Sequence, residues 1–433
     1  MQRRDFIWRS SLAALALGTP GFTAASPVRV NSQRIKARID ELAKFGADGN
    51  GHSYRVAYSK SDIEGRTWFS DLMRKAKLDV NIDEAGNIIG KRKGSDTSLK
   101  PLAFGSHIDM VPDGGNYDGT LGSIAALEVI EILNENNIVT RHPLEVIIFS
   151  NEEGGTIGSK AMAGQLTPDG MKEKSNSGLT IFDGIKAIGG APDQIQKMAR
   201  KKGDIHAFVE LHIDQGGILE SENLQVGVVE GIVGIVHWEV TVEGFSNHAG
   251  TTPMNLRQDA LLASSQLVIA VNEIIRSVPG SQVGTIGKLS LQPGAYNVIP
   301  GKVVLGLEIR DLSAPKIETL FKEIEKRAAI IATGSKTKIS FVQQPNEVLP
   351  AMTDKKLQQI IDSQAKSLGL KTKFMHSGAG HDSQEIAAIA PVAMIFVPSV
   401  GGISHSPKEF TRAEDMANGA DVLLHSILEI DRS

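Results

Sequence analysis

The stretch "PLAFGSHIDMVPDGGNYDGTLGSIAALEVIEIL" (residues 101–133) changes character twice. Its opening, "PLAFGSHI" (101–108), is a short apolar run of the kind that forms a buried strand. Its close, "LGSIAALEVIEIL" (121–133), spaces apolar residues as an amphipathic helix does. His107 closes the first segment, and between the two lie Asp109, Asp113 and Asp118, with Gly114, Gly115 and Gly119. Asp and Gly dominate ordinary turns, and taken alone the middle reads as a loop. A histidine at the end of a buried strand and a carboxylate just before a helix also suit half of a metal site. The glycines let the backbone turn sharply, and Asp109 is close enough in sequence to orient the His107 imidazole.

The same alternation continues outward. "LEVIIFS" (144–150), "AFVELHI" (207–213) and "VAMIFVPS" (392–399) are further short apolar strands, and helix-like segments separate them. This order predicts an α/β fold, a sheet covered by helices. Residues 234–346 differ. "GIVHWEVTVEG" (234–244) alternates apolar and polar residues, and a long helical run (257–277) follows. A strand-rich block (283–312), a helix near 314–333 and a strand near 338–344 complete a β-α-β-β-α-β order. That order fits a two-layer α+β domain inserted at 234–346, so the first domain occupies 32–233 and 347–433.

Composition limits the partners. Of 433 residues 41% are hydrophobic and 22% charged, and the formal net charge is −4, which disfavours nucleic acid. The N-terminal "MQRRDFIWRSSLAALALGTPGFTAAS" sets paired Arg3 and Arg4 before a short apolar stretch and small residues. It resembles a twin-arginine export signal over residues 1–25, which implies a periplasmic protein. The apolar stretch is too short for a stable membrane span. There is no cysteine, so the core alone must hold an exported chain of this length together.

Three more candidates follow predicted strands. Glu152 and Glu153 ("FSNEEGG") come directly after the strand at 144–150. A solvated loop pair is one reading; a ligand beside a general base is the other. His212 ("ELHIDQGG") closes the strand at 207–213, and His405 ("GGISHSP") lies in a glycine-rich loop after the last strand. Either alone suits a structural histidine. All four positions fall at strand ends, where open α/β sheets carry their sites. Histidine and carboxylate donors without thiolate suit zinc, and also manganese, nickel or cobalt.

With "NEEGG", "ELHIDQG", "FSNHAGTTPM", "AYNVIPG", "EIRD", "SGAGHDS" and "GGISHSP" in this order, the chain resembles the dinuclear-metal aminoacylase and carboxypeptidase superfamily, most closely its carbamoylase branch. The resemblance covers nearly all of the chain after the signal. It implies a zinc-exopeptidase-like catalytic domain with a central mixed sheet, plus an inserted lid and dimerisation domain. It also implies two divalent metals, with His107, Asp118 and His212 on one side and Glu153 and His405 completing the pair. Asp118 would bridge, Glu152 would be the general base, and Asp109 would be the partner of His107. His248, Asn297 and Arg310 match substrate-contacting positions that reach into a partner's site, with His248 also a donor to the oxyanion. This implies a homodimer. Gln215 and His381 match two further substrate-side positions.

The implied reaction is hydrolysis of an N-carbamoyl (ureido) group on a small carboxylic acid such as an N-carbamoyl-L-amino acid, giving amine, CO2 and ammonia. Rival readings are an allantoate or ureidoglycolate amidohydrolase, a dipeptidase or aminoacylase, and a catalytically silent binding protein. A Ser–His–Asp hydrolase built on Ser377, His381 and Asp382 is a further one, although no nucleophile-elbow pattern surrounds them. Two departures from the resemblance stand out. The segment after the glutamate pair, "EEGGTIGSKAMAG", is shorter than in relatives and lacks their Arg-Phe pair, and Asp214 replaces a glutamate in "HIDQG".

Overall fold

In the computed structural model, which describes residues 28–345 and 347–433, the strand of residues 101–133 lies inside a nine-stranded sheet and the helix that follows packs on its face. The expected export signal falls outside the described residues. The first part of the chain supplies β1 (Asp79–Ile82), β2 (Ile88–Arg92), β3 (Leu102–His107), β4 (Leu144–Phe149), β5 (Ala207–Ile213) and β6 (Val226–Ile232). Residues 234–343 form a second sheet from β7 (Gly234–Glu243), β8 (Val283–Gln292), β9 (Lys302–Asp311) and β10 (Lys338–Gln343). The chain then returns to the large sheet with β11 (Ala351–Met352), β12 (Thr372–Ser377) and β13 (Val392–Val397).

The large sheet is mixed, in the order β1-β2-β4-β3-β5-β13-β6-β11, with β12 also paired to β6. β3 runs parallel to β4 and β5, and β5 runs parallel to β13. Every residue of these four strands is buried, which is why each reads as a continuous apolar run rather than an alternation. Their common direction brings four carboxyl ends to one side of the sheet.

The helix after β3, Thr120–Glu135, is not amphipathic as its spacing suggests. It is buried on nearly all sides, because the helices Ser32–Leu42 and Ala413–Arg432 cover the face turned away from the sheet. Its Glu128, fully buried, accepts hydrogen bonds from the Asn31 backbone (2.8 Å) and from Nε and Nη2 of Arg34 (2.6 and 2.8 Å). That ion pair lets a carboxylate occupy the apolar layer. At Gly122 a Cβ would stand 2.0 Å from the Leu211 carbonyl, so the helix lies directly against β5.

The second sheet is antiparallel, in the order β10-β7-β9-β8. The helices Ala260–Ser277 and Ala314–Ser335 pack on one face around Val240, Leu267, Leu305 and Leu320. The first of these begins at Ala260 rather than at 257, because Asp259 accepts the N–H groups of Leu261 and Leu262 and caps it. Among the described residues no helix is long and apolar enough to cross a membrane.

Arg55 fixes the central loop from beneath. It is fully buried, and burial pulls its pKa only to about 10, so it remains charged at neutral pH. Nε donates to the Ile108 carbonyl (2.7 Å), Nη1 to those of Leu42 (2.9 Å) and Phe45 (3.3 Å), and Nη2 to the Thr120 hydroxyl (3.2 Å). Arg55→Met should therefore cost at least about 2 kcal/mol, because it strands buried carbonyls. Chemical denaturation would detect this as a lowered midpoint at unchanged slope.

Candidate active site

His107 ends β3, Glu152 and Glu153 follow β4, His212 lies in β5, and His405 lies in the loop after β13. Asp118 is the residue these converge on. Its Oδ1 lies 3.1 Å from Nε2 of His212 and 3.6 Å from Nε2 of His107. Its Oδ2 lies 3.4 Å from Nε2 of His405 and accepts hydrogen bonds from Gln215 (2.7 Å) and Ser404 (2.8 Å). Gly119 makes the approach possible. With φ at 60° it adopts a left-handed turn, and a Cβ there would stand 2.2 Å from Nε2 of His107.

Two donor groups result, His107–Asp118–His212 and Asp118–Glu153–His405, each with its ligand atoms within 4.8 Å of one another. Their chemistry fits a divalent cation. Nδ1 of His107 donates to the Asp109 carbonyl (3.0 Å) and Nδ1 of His212 to the Ile213 carbonyl (2.9 Å). The His107 ring thereby turns its Nε2 lone pair toward Asp118, so acceptor faces acceptor there unless a cation or proton lies between, while Nε2 of His212 also accepts the Gly119 N–H (3.1 Å). Nε2 of His107 and Oε1 of Glu153 are buried without any hydrogen-bond partner.

Charge balance among these residues tells the same story. Burial and, next, the carboxylates of Asp382, Glu153 and Asp118 push Glu152 well above the usual carboxylate range, against the pull of His107. Burial and Asp118 push Glu153 up to about 7. Burial opposes ionisation of Asp118, but His212, His107 and His405 outweigh it and hold its carboxyl well below the usual range. Burial opposes a charge on His107 too, and Glu152, Asp118 and Asp109 overcome it.

Asp109 does not hold His107 through its carboxylate, which stands 3.8 Å from Nδ1. The two-residue spacing turns its backbone carbonyl, not its side chain, toward the ring. The carboxylate instead accepts the N–H groups of Glu152 (3.3 Å) and Glu153 (3.2 Å) and fixes the glutamate pair. Asp214 binds the backbone of Ser399 (3.0 Å) and Gly216 (3.3 Å), tying the loop after β5 to the loop after β13.

A pocket of about 270 Å³ opens over these groups, walled by Glu152, Glu153, Gln215, His381 and Arg310 among others. His381 is buried and held well below its ordinary pKa by that burial and by His212, so it is neutral. Its Nε2 meets the Ser377 hydroxyl at 2.7 Å. Asp382, however, accepts from Ser159 (2.5 Å) and from no atom of His381, so no Ser–His–Asp triad assembles. Arg310 does not reach away toward a partner. β9 ends against the large domain, where Nη1 donates to the Gly378 carbonyl (2.8 Å) and Glu308 holds Nε and Nη2 (2.7 and 3.1 Å). His248 and Asn297 are exposed and are absent from the pocket wall. Their loops join each other instead, with the Ala249 N–H donating to the Asn297 carbonyl at 2.9 Å.

Glu409 and Glu210 were not apparent in the sequence. Buried Glu409 accepts the N–H groups of Tyr117 (2.8 Å) and Asp118 (3.0 Å) and the Ser404 hydroxyl (2.9 Å), clamping the His405 loop to the Asp118 loop. Its position four residues after His405 was the available signal. Buried Glu210 joins Ser106 (2.7 Å), beside His107, to Ser383 (2.7 Å), beside Asp382.

Residues 103–429 match the model of Peptidase family M20/M25/M40. The chain belongs to this family. Within it, the N-carbamoyl-L-amino acid amidohydrolase of Geobacillus stearothermophilus is 38% identical over 406 residues, which cover 93% of this chain and 99% of that one. The allantoate amidohydrolase of Escherichia coli is 35% identical over 397 residues, covering 90% and 96%. A solved hydantoinase/carbamoylase family amidase from Burkholderia multivorans matches with a TM-score of 0.88 at 34% identity, covering 94% of this chain and 99% of its own. M20 enzymes use divalent metals, in agreement with the donor groups found here.

With cations removed by a chelator, these residues should make stability depend on pH. Glu153 rises from 4.5 to about 7, and His405 rises from 6.5 to about 9 chiefly through its hydrogen bond with Asp118. Both raised groups favour the folded chain at low pH, and that stability is lost as pH climbs through about 7 and then about 9. Chelator-treated protein should accordingly melt at falling temperature across this window. Adding manganese or zinc should flatten the decline in differential scanning calorimetry.

Proposed function

We propose that this M20 enzyme hydrolyses the N-carbamoyl group of an N-carbamoyl-L-amino acid, releasing the amino acid, CO2 and ammonia. The observation that carries the reading is the pair of donor groups sharing Asp118 beside Glu152 and Arg310. The resemblance of the whole chain to carbamoyl amidohydrolases supports it. The chain is a hydrolase of amide C–N bonds, and a silent binding role is disfavoured because every donor and Glu152 are retained.

His107, His212, Asp118, Glu153 and His405 would hold two divalent ions, zinc or else manganese, nickel or cobalt. Such ions supply positive charge that acidifies water and polarises a carbonyl. The rest falls to the side chains. Glu152, starting as the carboxylate, takes a proton from the attacking water; its burial favours the neutral acid so formed, which then returns the proton to the departing amine nitrogen. Gln215 steadies the shared carboxylate by donating to it. Arg310, its Nε edge fixed by Glu308, offers the outer edge of its guanidinium to the substrate carboxylate. Neutral His381 lines the pocket as a further polar contact.

We further propose a homodimer formed through the inserted domain. β8 is an unpaired sheet edge, and Leu262, Ile269, Val283 and Leu289 are exposed around it. His248 and Asn297, exposed and absent from the wall of their own pocket, would serve the partner's site, where His248 would stabilise the oxyanion. The twin-arginine reading of residues 1–25 adds export to the periplasm.

Metal-reconstituted enzyme should turn over N-carbamoyl-L-amino acids faster than allantoate, ureidoglycolate or dipeptides. A preference for allantoate would favour the second reading, which rests on the allantoate amidohydrolase relative. Glu152→Gln should lower kcat by about 10²- to 10⁴-fold while metal content is unchanged. Mixing His248→Ala with Glu152→Gln subunits should restore partial activity if sites are shared, and verified hybrids without rescue would exclude sharing.

A further inference from the structure

Arg310 meets the catalytic pocket from β9, and strand geometry decides what stands behind it. Residues two apart on a strand share a face, so Glu308 lies beside Arg310. The pairing of β7 with β9 sets His237 directly opposite Glu308. Their neighbours Val236, Trp238, Leu307 and Ile309 turn inward to the core beneath the two helices. His237, Glu308 and Arg310 therefore share the other face, where each is only partly covered.

Glu308 is gripped from two sides. Its Oε1 accepts from Nε of Arg310 (2.7 Å), while its Oε2 accepts from Nη2 of Arg310 (3.1 Å) and from Nε2 of His237 (2.8 Å). Burial opposes ionisation of Glu308, but Arg310 and then His237 outweigh it and hold its carboxyl below the usual range. An ionised carboxylate only accepts, so Nε2 of His237 is the donor. Nδ1 of the same ring is buried without a hydrogen-bond partner. Among the described residues, Glu308 is thus the one hydrogen-bond partner of the imidazole.

A guanidinium carries five N–H groups. Glu308 engages two of those on Arg310 and the Gly378 carbonyl a third, which leaves two for a substrate carboxylate. Their aim depends on Glu308, whose flexible side chain is costly to hold in one rotamer. A donor arriving from β7 pins the plane of that carboxylate. It also draws part of the negative charge away from Arg310, leaving more of the positive charge to act on the substrate. His237 itself is absent from the wall of the catalytic pocket.

We propose that His237 is a positioning residue for recognition of the substrate carboxylate, holding Glu308 so that Glu308 aims Arg310. The proposal rests on the function inferred above, in which Arg310 meets that carboxylate.

The test compares N-carbamoyl-L-alanine with its α-carboxamide, which lacks the charge that Arg310 would bind, using metal-loaded enzyme. His237→Leu removes the donor and His237→Gln keeps one, and thermal melting checks that both variants fold. With the acid, His237→Leu should raise KM about tenfold at unchanged kcat, the lower end of what a lost hydrogen bond to a charged group costs. His237→Gln should recover most of that loss, and the carboxamide should be turned over equally well by all three enzymes. An unchanged KM in His237→Leu would overturn the proposal. So would a loss shared equally by acid and carboxamide, or one that His237→Gln does not repair. Arg310→Ala separates the two levels of inference. If it spares the acid relative to the carboxamide, the carboxylate role of Arg310 fails and takes this proposal with it. If it selectively impairs the acid while His237→Leu does not, only the part given to His237 is wrong.

Discussion

One buried carboxylate organises this structure. Asp118 must serve three imidazoles that arrive from β3, β5 and the loop after β13, and it can do so only if those strand ends are held within a few ångströms of one another. Much of the surrounding architecture meets that requirement. Glu409 grips the backbone on which Asp118 rides, Gly119 gives up its side chain to let the His107 ring in, and Arg55 anchors both ends of the loop. Remove the need for that meeting point, and the fully satisfied Arg55 and Glu409 lose their reason to be buried.

The parallel core was the most legible part of the sequence. β3, β4, β5 and β13 are short runs with no polar face, and a strand buried on both sides can hardly be written otherwise. The inserted sheet was legible for the opposite reason, since one face of β7 and β9 is covered and the other partly open, so their burial alternates. What the one-dimensional pattern could not convey was the helix Thr120–Glu135. Spacing describes a helix's own faces, not the two helices, one earlier and one later in the chain, that cover its outer side.

The donors followed the same logic. Histidines and carboxylates at strand ends are visible because the strands are. Their supporting groups are less visible because the contacts are made by backbone atoms or across long separations. The side chain of Asp109 was a natural partner for a histidine two residues away, yet the ring took its carbonyl and left the carboxylate to the glutamate pair. Glu210 reaches serines on β3 and beside Asp382, neither of which is near it in the chain. Arg310 is placed by the way one domain rests on the other, a relation that no local motif encodes.

The insertion between β6 and β11 also sets an order of assembly. A ribosome delivers β7 to β10, a sheet with its own apolar core, before it delivers β13 and His405. Until then the large sheet lacks the strand that lies between β5 and β6, and Asp118 lacks one of its three imidazoles. A nascent chain halted in the last quarter of its synthesis would carry a finished smaller domain beside an open, chemically incomplete larger one. The donor set around Asp118 can therefore be completed only late in the synthesis of the polypeptide.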